Sequence, residues 1–381
     1  MRRHLHLVTL MGAAAIAAPA NAQHFTYVGT LGRDTLSLEQ VVRSPESITG
    51  EWISLYGGIM VHHYELTLRP DGTVSRYHLE LHRLSGKVDG DIDIRFFDDS
   101  MIVRNADGKE LRAQVGEALP MFTSTMGPID LILTRARANG RDSSFTPTVG
   151  AFGPYRRGGM SIVFFGGDSV RFGNPRAPLV ARIDAAGHVL GMSARATTTR
   201  METRRVADFD VFTAAAHFPN VEDSVDITGV PAISPRDTVR ATIGAASIMI
   251  DYGRPAVRGR NVFSHGILGD TIWRTGANAA TQFVTTRDLI VGGDTLRAGA
   301  YSLWTRVSPD DSSYRLLFNS QTGQWGTEHH PERDVLSVPL SRSALRNAAE
   351  RLTIRLANAG RTSQLWLEWA NTALTVSMTS R

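Results

Sequence analysis

The run Trp273-Arg274-Thr275-Gly276-Ala277-Asn278 places an indole, a guanidinium and an amide close together. It lacks the alternation of a strand. A guanidinium grips a carboxylate or phosphate by forked hydrogen bonds, an amide orients it, and an indole stacks on a sugar ring. A second stretch of similar character holds Gln324, Trp325, His329 and His330. Trp273, Arg274, Asn278, Gln324, Trp325 and His329 are therefore the candidate ligand-binding residues. Each taken singly has a commoner use. Arg274 and Asn278 would pin a long loop to the sheet through backbone carbonyls, and the tryptophans would fill the core.

A second candidate lies on a predicted hairpin at 59–84. Arg69-Pro70-Asp71-Gly72 suits a four-residue turn, which sets Leu68 opposite Thr73, Tyr64 opposite Tyr77 and His62 opposite Leu79. The other face then pairs Glu65 with Arg76, His63 with His78 and Val61 with Glu80, with His82 beyond. Imidazoles and a carboxylate on one face can bind zinc or iron, so His63, His78 and Glu80 form a weak metal candidate. Positions i and i+4 on a flat strand lie roughly 13 Å apart, so His78 and His82 cannot share one ion. An ordinary polar sheet face explains the same residues without a metal. No cofactor is expected.

The elements that must position these groups read as strands. Alternation marks Ile59 to Leu68, Val74 to Leu84, Ser161 to Phe165 and Val180 to Ile183. It returns at Ser247 to Ile250, Ala300 to Trp304, Arg315 to Phe318, Leu352 to Leu356 and Leu365 to Trp369. Turn residues separate them, as in Ala106-Asp107-Gly108, Gly166-Gly167-Asp168 and Gly292-Gly293-Asp294. Helices are expected only at Thr35 to Val42 and Ser343 to Arg351. The fold class is mainly β: two antiparallel β-sandwich or barrel-like domains with few short helices.

Proline and acidic residues between 216 and 235 mark a connector. It divides an N-terminal β domain at 23–215 from a C-terminal one at 236–381. Trp52 lies in the first, and Trp273, Trp304, Trp325, Trp366 and Trp369 in the second. Ahead of both, Arg2 and Arg3, an apolar stretch from Leu7 to Ala18 and Ala20-Asn21-Ala22 have the order of a secretory signal peptide at 1–22, cleaved near Ala22. Removing 22 of the 381 residues leaves 359, and a periplasmic or secreted protein is expected. Two of the 41 basic side chains leave with the leader, so 39 face 37 acidic ones. The lack of any basic run argues against nucleic-acid binding, and no second segment reads as a membrane span. Cysteine is absent, which excludes thiol catalysis, disulfides and iron–sulfur clusters. The adjacent acids Asp98-Asp99 and Asp310-Asp311 sit in turn-like contexts, and no nucleophile elbow, phosphate loop or zinc-helix motif is present.

Several separated runs in the C-terminal region carry a family resemblance: Asp251-Tyr252-Gly253-Arg254-Pro255, Gly259-Arg260, Trp273 to Thr281, Tyr301-Ser302-Leu303-Trp304-Thr305, Gln324-Trp325-Gly326-Thr327 and Leu367-Glu368-Trp369-Ala370-Asn371-Thr372. From about 236 to 381 the chain resembles the bacterial domain-of-unknown-function family numbered 2911. The resemblance implies a compact β domain typical of exported bacterial proteins and no particular chemistry. Three functions remain on the sequence. The first, and the one favoured, is a non-catalytic protein binding a small molecule, sugar or lipid. The others are a hydrolase or metal-dependent enzyme with a spatially assembled site, and an interaction module of the cell envelope.

Overall fold

In a computed structural model of the chain the described residues are 22–218 and 233–381, less short stretches at 56–58, 84–87, 117–118, 122–124, 141–142, 151–156, 176, 198–199, 264–271, 309–311 and 358–359. The expected leader up to Asn21, most of the expected connector and Asp310-Asp311 lie outside them. Among the described residues, fifteen strands between Gln23 and Val206 form one sheet, and ten between Arg236 and Ser380 form another. The fold is mostly β, as the alternation requires.

The first sheet consists of two meanders joined edge to edge. Strand Gln23–Leu31 pairs with Asp34–Arg43 on one side and with Glu202–Val206 on the other. Neighbours are antiparallel throughout, apart from the parallel pair Leu119–Met121 and Ser143–Gly150. Inward side chains such as Tyr64, Leu66, Tyr77 and Leu79 are wholly buried. Each such burial stabilises by roughly 1.5–3 kcal/mol. They close on helix Met126–Ala138, whose Met126, Ile129, Leu131, Ile132 and Leu133 sit in the same core. The helix touches strands of both meanders, so the sheet wraps it in a barrel-like manner.

That helix escapes a sequence reading because Met126 to Thr134 are all buried, Asp130 and Thr134 included, so no polar stripe marks an amphipathic helix there. Its first turn is capped from outside. The Glu39 carboxylate accepts hydrogen bonds from Met126 N at 2.7 Å and Gly127 N at 3.4 Å, while the Tyr64 hydroxyl donates to it at 2.6 Å. The carboxylate thus takes the place of a cap side chain. Further along, Asp130 accepts from Arg43 Nη1 at 2.6 Å and Val189 N at 2.9 Å, and its other contact is His188 Nδ1 at 2.9 Å.

Both expected helices are strands. Thr35 to Val42 lies in Asp34–Arg43, held by ladders on both edges. Ser343 to Arg351 lies in Asp334–Leu356. There, the six residues from Ala344 to Ala349 span the same stretch as three of the partner, from Thr372 to Ala370, so the segment bulges outward from the ladder. Local helix propensity is weak beside the long pairing on either side.

The hairpin register also differs from expectation. His63 stands opposite Glu80 and Glu65 opposite His78, a shift of two residues. Thr73 joins the turn, bonding Asp71 Oδ1 through its N at 2.8 Å and Oγ1 at 2.6 Å. Ser75 is the extra residue of a bulge, since Leu68 pairs with Val74 and Thr67 with Arg76. A shift of two keeps every side chain on its expected face.

The second sheet carries its own core of Phe283, Leu303, Phe318, Leu367, Trp369 and neighbours. The two sheets touch where the turn after Leu31 meets the segment Ala256–Arg260. Arg33 N donates to Arg258 O at 2.9 Å, and Arg258 Nη1 bonds Asp34 Oδ2 at 2.6 Å. Gly32 has φ 62°, and a Cβ there would overlap the Arg258 carbonyl, so the close approach requires glycine. Leu31, Leu36 and Met201 pack beside this contact with Ile233.

Candidate functional site

The two candidate segments of the second sheet meet. Gly326 N donates to Asn278 O at 3.0 Å and Ala280 N to Gln324 O at 3.2 Å, and Ala279 bridges Trp325. The side chain of Arg274 runs beneath this junction. A Cβ on Gly326 would overlap its Cδ, so glycine makes room for the arginine.

Strand alternation sorts the second segment. Gln324 points inward at 5% exposure, while Trp325 turns its ring outward at 46%. Gln324 Nε2 donates to Ser302 Oγ at 2.7 Å, and Trp304 Nε1 donates to the same oxygen at 2.9 Å. His329 lies against the Trp304 ring, with centroids 4.8 Å apart, and its Nε2 contacts Asp334 Oδ1 at 2.9 Å. Asn319 Nδ2 donates to that same carboxylate oxygen at 2.9 Å. His329 and Gln324 thus tie this segment to the sheet.

In the first segment, Trp273 is buried, stacks on Trp369 at 5.5 Å and donates from Nε1 to Gly276 O at 3.0 Å. A stacking role for Trp273 toward a ligand is therefore corrected: its ring faces the core, and Trp325 is the indole that reaches the surface. Asn278 contributes its backbone. Its φ of 62° is a left-handed conformation that asparagine tolerates, and it aims the carbonyl at Gly326. Thr275, a β-branched residue at φ 49°, is held there by its hydroxyl contact to Thr305 Oγ1 at 2.8 Å.

Arg274 stands apart from all of these. It is 5% exposed, yet its Nε and Nη1 have no hydrogen-bond partner. Burial, with the nearby Arg200 guanidinium, pushes its pKa down to about 9. At neutral pH it still carries its charge. A buried cation lacking a partner costs several kcal/mol unless an anion meets it.

The three metal candidates are engaged in ion pairs, and only His78 and Glu80 among them approach each other, at 3.8 Å. His63 Nδ1 lies 2.6 Å from Glu51 Oε1, and His78 Nε2 is 2.9 Å from Asp91 Oδ1. Glu80 Oε2 is 3.0 Å from His82 Nε2. The Glu51 hydrogen bond raises the His63 pKa against the lowering effect of burial. Among the described residues no three histidines or carboxylates are grouped to hold a metal ion. The new register explains this, since it replaces the His63–His78 pair by His63–Glu80.

Two residues that the sequence did not single out for binding bear on this region electrostatically, Arg200 on Arg274 and Arg260 on Arg200. Arg200 comes from the first sheet, just before strand Glu202–Val206, and Arg260 from the turn between the sheets. Nothing local marks Arg200, because its relation to Arg274 exists only in the folded chain. No helix among the described residues is long and apolar enough to cross a membrane.

The family model described as Protein of unknown function (DUF2911) matches residues 234–378, the region of the sequence resemblance. Comparison with curated proteins finds no match. Among solved structures the chain is similar to a DUF1089 family protein from Pseudomonas aeruginosa, at 12% identity and TM-score 0.34, over 42% of this chain and 90% of that one. It is also similar to a beta-barrel-like protein of domain of unknown function DUF1849 from Brucella abortus, at 8% identity and TM-score 0.33, over 48% of this chain and 93% of that one. At that degree of superposition neither likeness bears on function.

Proposed function

We propose that this chain is an exported, non-catalytic binding protein that holds a small molecule where the Trp273–Asn278 and Gln324–His329 segments join. Export is supported by the basic start, apolar stretch and small-x-small end of residues 1–22. The observation that carries the binding reading is Arg274, a buried guanidinium whose Nε and Nη1 lack partners beneath the joined segments. A guanidinium serving only to pin a loop would have its donors met by carbonyls, as Arg260 has through Val257 O at 3.0 Å and Ala256 O at 2.6 Å. The outward indole of Trp325 offers a flat apolar face to a sugar ring or an acyl chain beside the same segment.

Native mass spectrometry of the purified mature protein tests this, together with a titration of tryptophan fluorescence against sugars, phosphates and carboxylates. A retained small molecule, or saturable quenching lost in Trp325→Ala, is the expected result. A bare protein mass with flat titrations throughout would contradict the reading.

A further inference from the structure

Two side chains beneath the joined segments are incomplete, and they are of opposite kinds. Arg274 Nε and Nη1 are buried donors without an acceptor, and Gln324 Oε1 is a buried acceptor without a donor. Each residue is 5% exposed. Both clasp the same stretch of chain. Ala280 N donates to Gln324 O at 3.2 Å, and the next amide, Thr281 N, donates to Arg274 O at 3.3 Å. Trp325 bridges Ala279 and turns outward, so Gln324 and Gly326, both buried, face inward on either side of it. The Arg274 side chain takes the space that Gly326 leaves: a Cβ there would overlap its Cδ and stand 2.6 Å from its Nε. Resting on the binding reading above, we infer that Arg274 and Gln324 together take a hydroxylated oxyanion, a hydroxycarboxylate or a hydroxylated phosphate ester. Its charged oxygens accept from the guanidinium, and its hydroxyl donates to Gln324 Oε1.

Loop pinning does not account for this pair. Gln282 stands at the same junction and pins it with both ends of its amide. Its Nε2 donates to Ala280 O at 2.9 Å, and its Oε1 accepts from Gly323 N at 3.1 Å. Gln324 is used at one end only. Its Nε2 donates to Ser302 Oγ at 2.7 Å, an oxygen that also accepts from Trp304 Nε1 at 2.9 Å. Those contacts hold the amide in place and leave Oε1 unmet, where buried polar atoms ordinarily have partners.

The two unmet kinds of atom narrow the ligand. A guanidinium only donates, and carboxylates and phosphates are the acceptors that answer it most strongly. A plain carboxylate has no hydrogen to give at pH 7 and would leave the amide oxygen as it is. A neutral alcohol or sugar would meet the amide and leave the buried cation uncompensated, the costlier omission. An oxyanion with a hydroxyl beside it answers both.

The mature full-length protein is melted at pH 7 with lactate, propionate, glycerol 3-phosphate or methyl phosphate, each against sodium chloride at matched ionic strength. Within each pair the charge is kept and the hydroxyl is present or absent. The hydroxylated member of at least one pair is expected to raise the melting temperature by several degrees beyond chloride, at least twice the shift of its plain partner. A larger shift with lactate assigns a carboxylate, and a larger shift with glycerol 3-phosphate assigns a phosphoryl group. Lactamide and glycerol keep the hydroxyls and lack the charge, and neither gives a shift. Arg274→Met removes the shift, and Gln324→Met lowers the hydroxylated anion to the level of its plain partner. Equal shifts within both pairs, a neutral compound matching its charged counterpart, or the full shift in either variant overturns the inference. The ligand pairs are read on the wild type, so they decide the matter even if a variant does not fold. Should all four anions behave like chloride while native mass spectrometry finds another retained small molecule, the binding reading stands and this ligand class falls. A bare mass with no response to any compound overturns both.

Discussion

The two sheets treat buried charge in opposite ways. In the first, Glu39 and Asp130 are each 2% exposed, and each is met by donors from three directions. These carboxylates fasten helix Met126–Ala138 to the sheet that wraps it. In the second sheet Arg274 is as deeply placed, but its Nε and Nη1 are left without partners. The first arrangement is complete within the chain and accounts for itself as structure. The second is incomplete, and an incomplete buried polar group is costly to keep. The contrast separates a scaffold from a site more sharply than residue type does, since both use charged side chains in apolar surroundings.

The largest effects should come from breaking the complete arrangement. Asp130→Ala leaves Arg43 and His188 without their shared acceptor, and a loss of about 3–5 kcal/mol is expected in denaturant unfolding. Arg274→Met, by contrast, strands no partner and should lie within about 1 kcal/mol of wild type, or above it, when no oxyanion is present. A loss from Arg274→Met as large as that from Asp130→Ala would erase the distinction drawn between the two regions.

Glu39 sharpens the comparison through pH. Burial raises its pKa from 4.5 to about 7, against hydrogen bonds from Tyr64, Met126 and Gly127 that favour the ionised form. A carboxyl whose pKa is higher folded than unfolded stabilises fully below the unfolded value, and that share is lost as pH rises through the folded one. The share is on the order of 3 kcal/mol at 1.36 kcal/mol per unit. Stability of the wild type relative to Glu39→Gln should therefore decline between about pH 4.5 and 7 and level off above. A difference that stays constant over that range would show that Glu39 does not titrate with folding.

Smaller effects are expected at the surface. Asn278→Ala puts a Cβ-bearing residue with no polar compensation at φ 62°, costing roughly 1 kcal/mol, whereas Asn278→Gly should be close to neutral. His63→Ala removes a partly exposed pair with Glu51, worth less than about 1 kcal/mol. Because Glu51 raises the His63 pKa, that share is fully present below the ordinary histidine value and fades as pH rises through the raised one. Equal losses from His63→Ala at acid and alkaline pH would contradict the pairing. N-terminal sequencing of secreted protein should begin at Gln23, and retention of Met1 in the mature protein would remove the export proposal.

Strands were legible wherever one face is buried, because alternation records that burial directly, as at Met60–Leu68 and Val74–Arg83. Helix Met126–Ala138 was not, since its residues from Met126 to Thr134 are buried on every side and leave no period to read. The register of the hairpin escaped because it depends on Asp71 drawing Thr73 into the turn and on a single bulged residue, Ser75. At the site, the two segments were legible as polar interruptions of a strand pattern. Which of their residues face inward was not. Trp273 and Trp325 look alike in sequence, and only the ladder decides that one stacks on Trp369 while the other meets solvent. Arg200 left no local trace, because its electrostatic effect on Arg274 exists only in the folded chain.

The central claim is that Arg274 is charged and open to an oxyanion. Isothermal titration of the mature protein with sulfate tests it most directly, because sulfate keeps its charge from pH 7 to 10. Lys87 and Lys109 are the only lysines, so apart from Arg200, lowered to about 10, few other cations titrate in that interval. With the Arg274 pKa near 9, sulfate should bind saturably at pH 7 and about tenfold more weakly at pH 10, one unit above that value. Equal affinity at the two pH values, or no saturable binding at pH 7, would contradict the account.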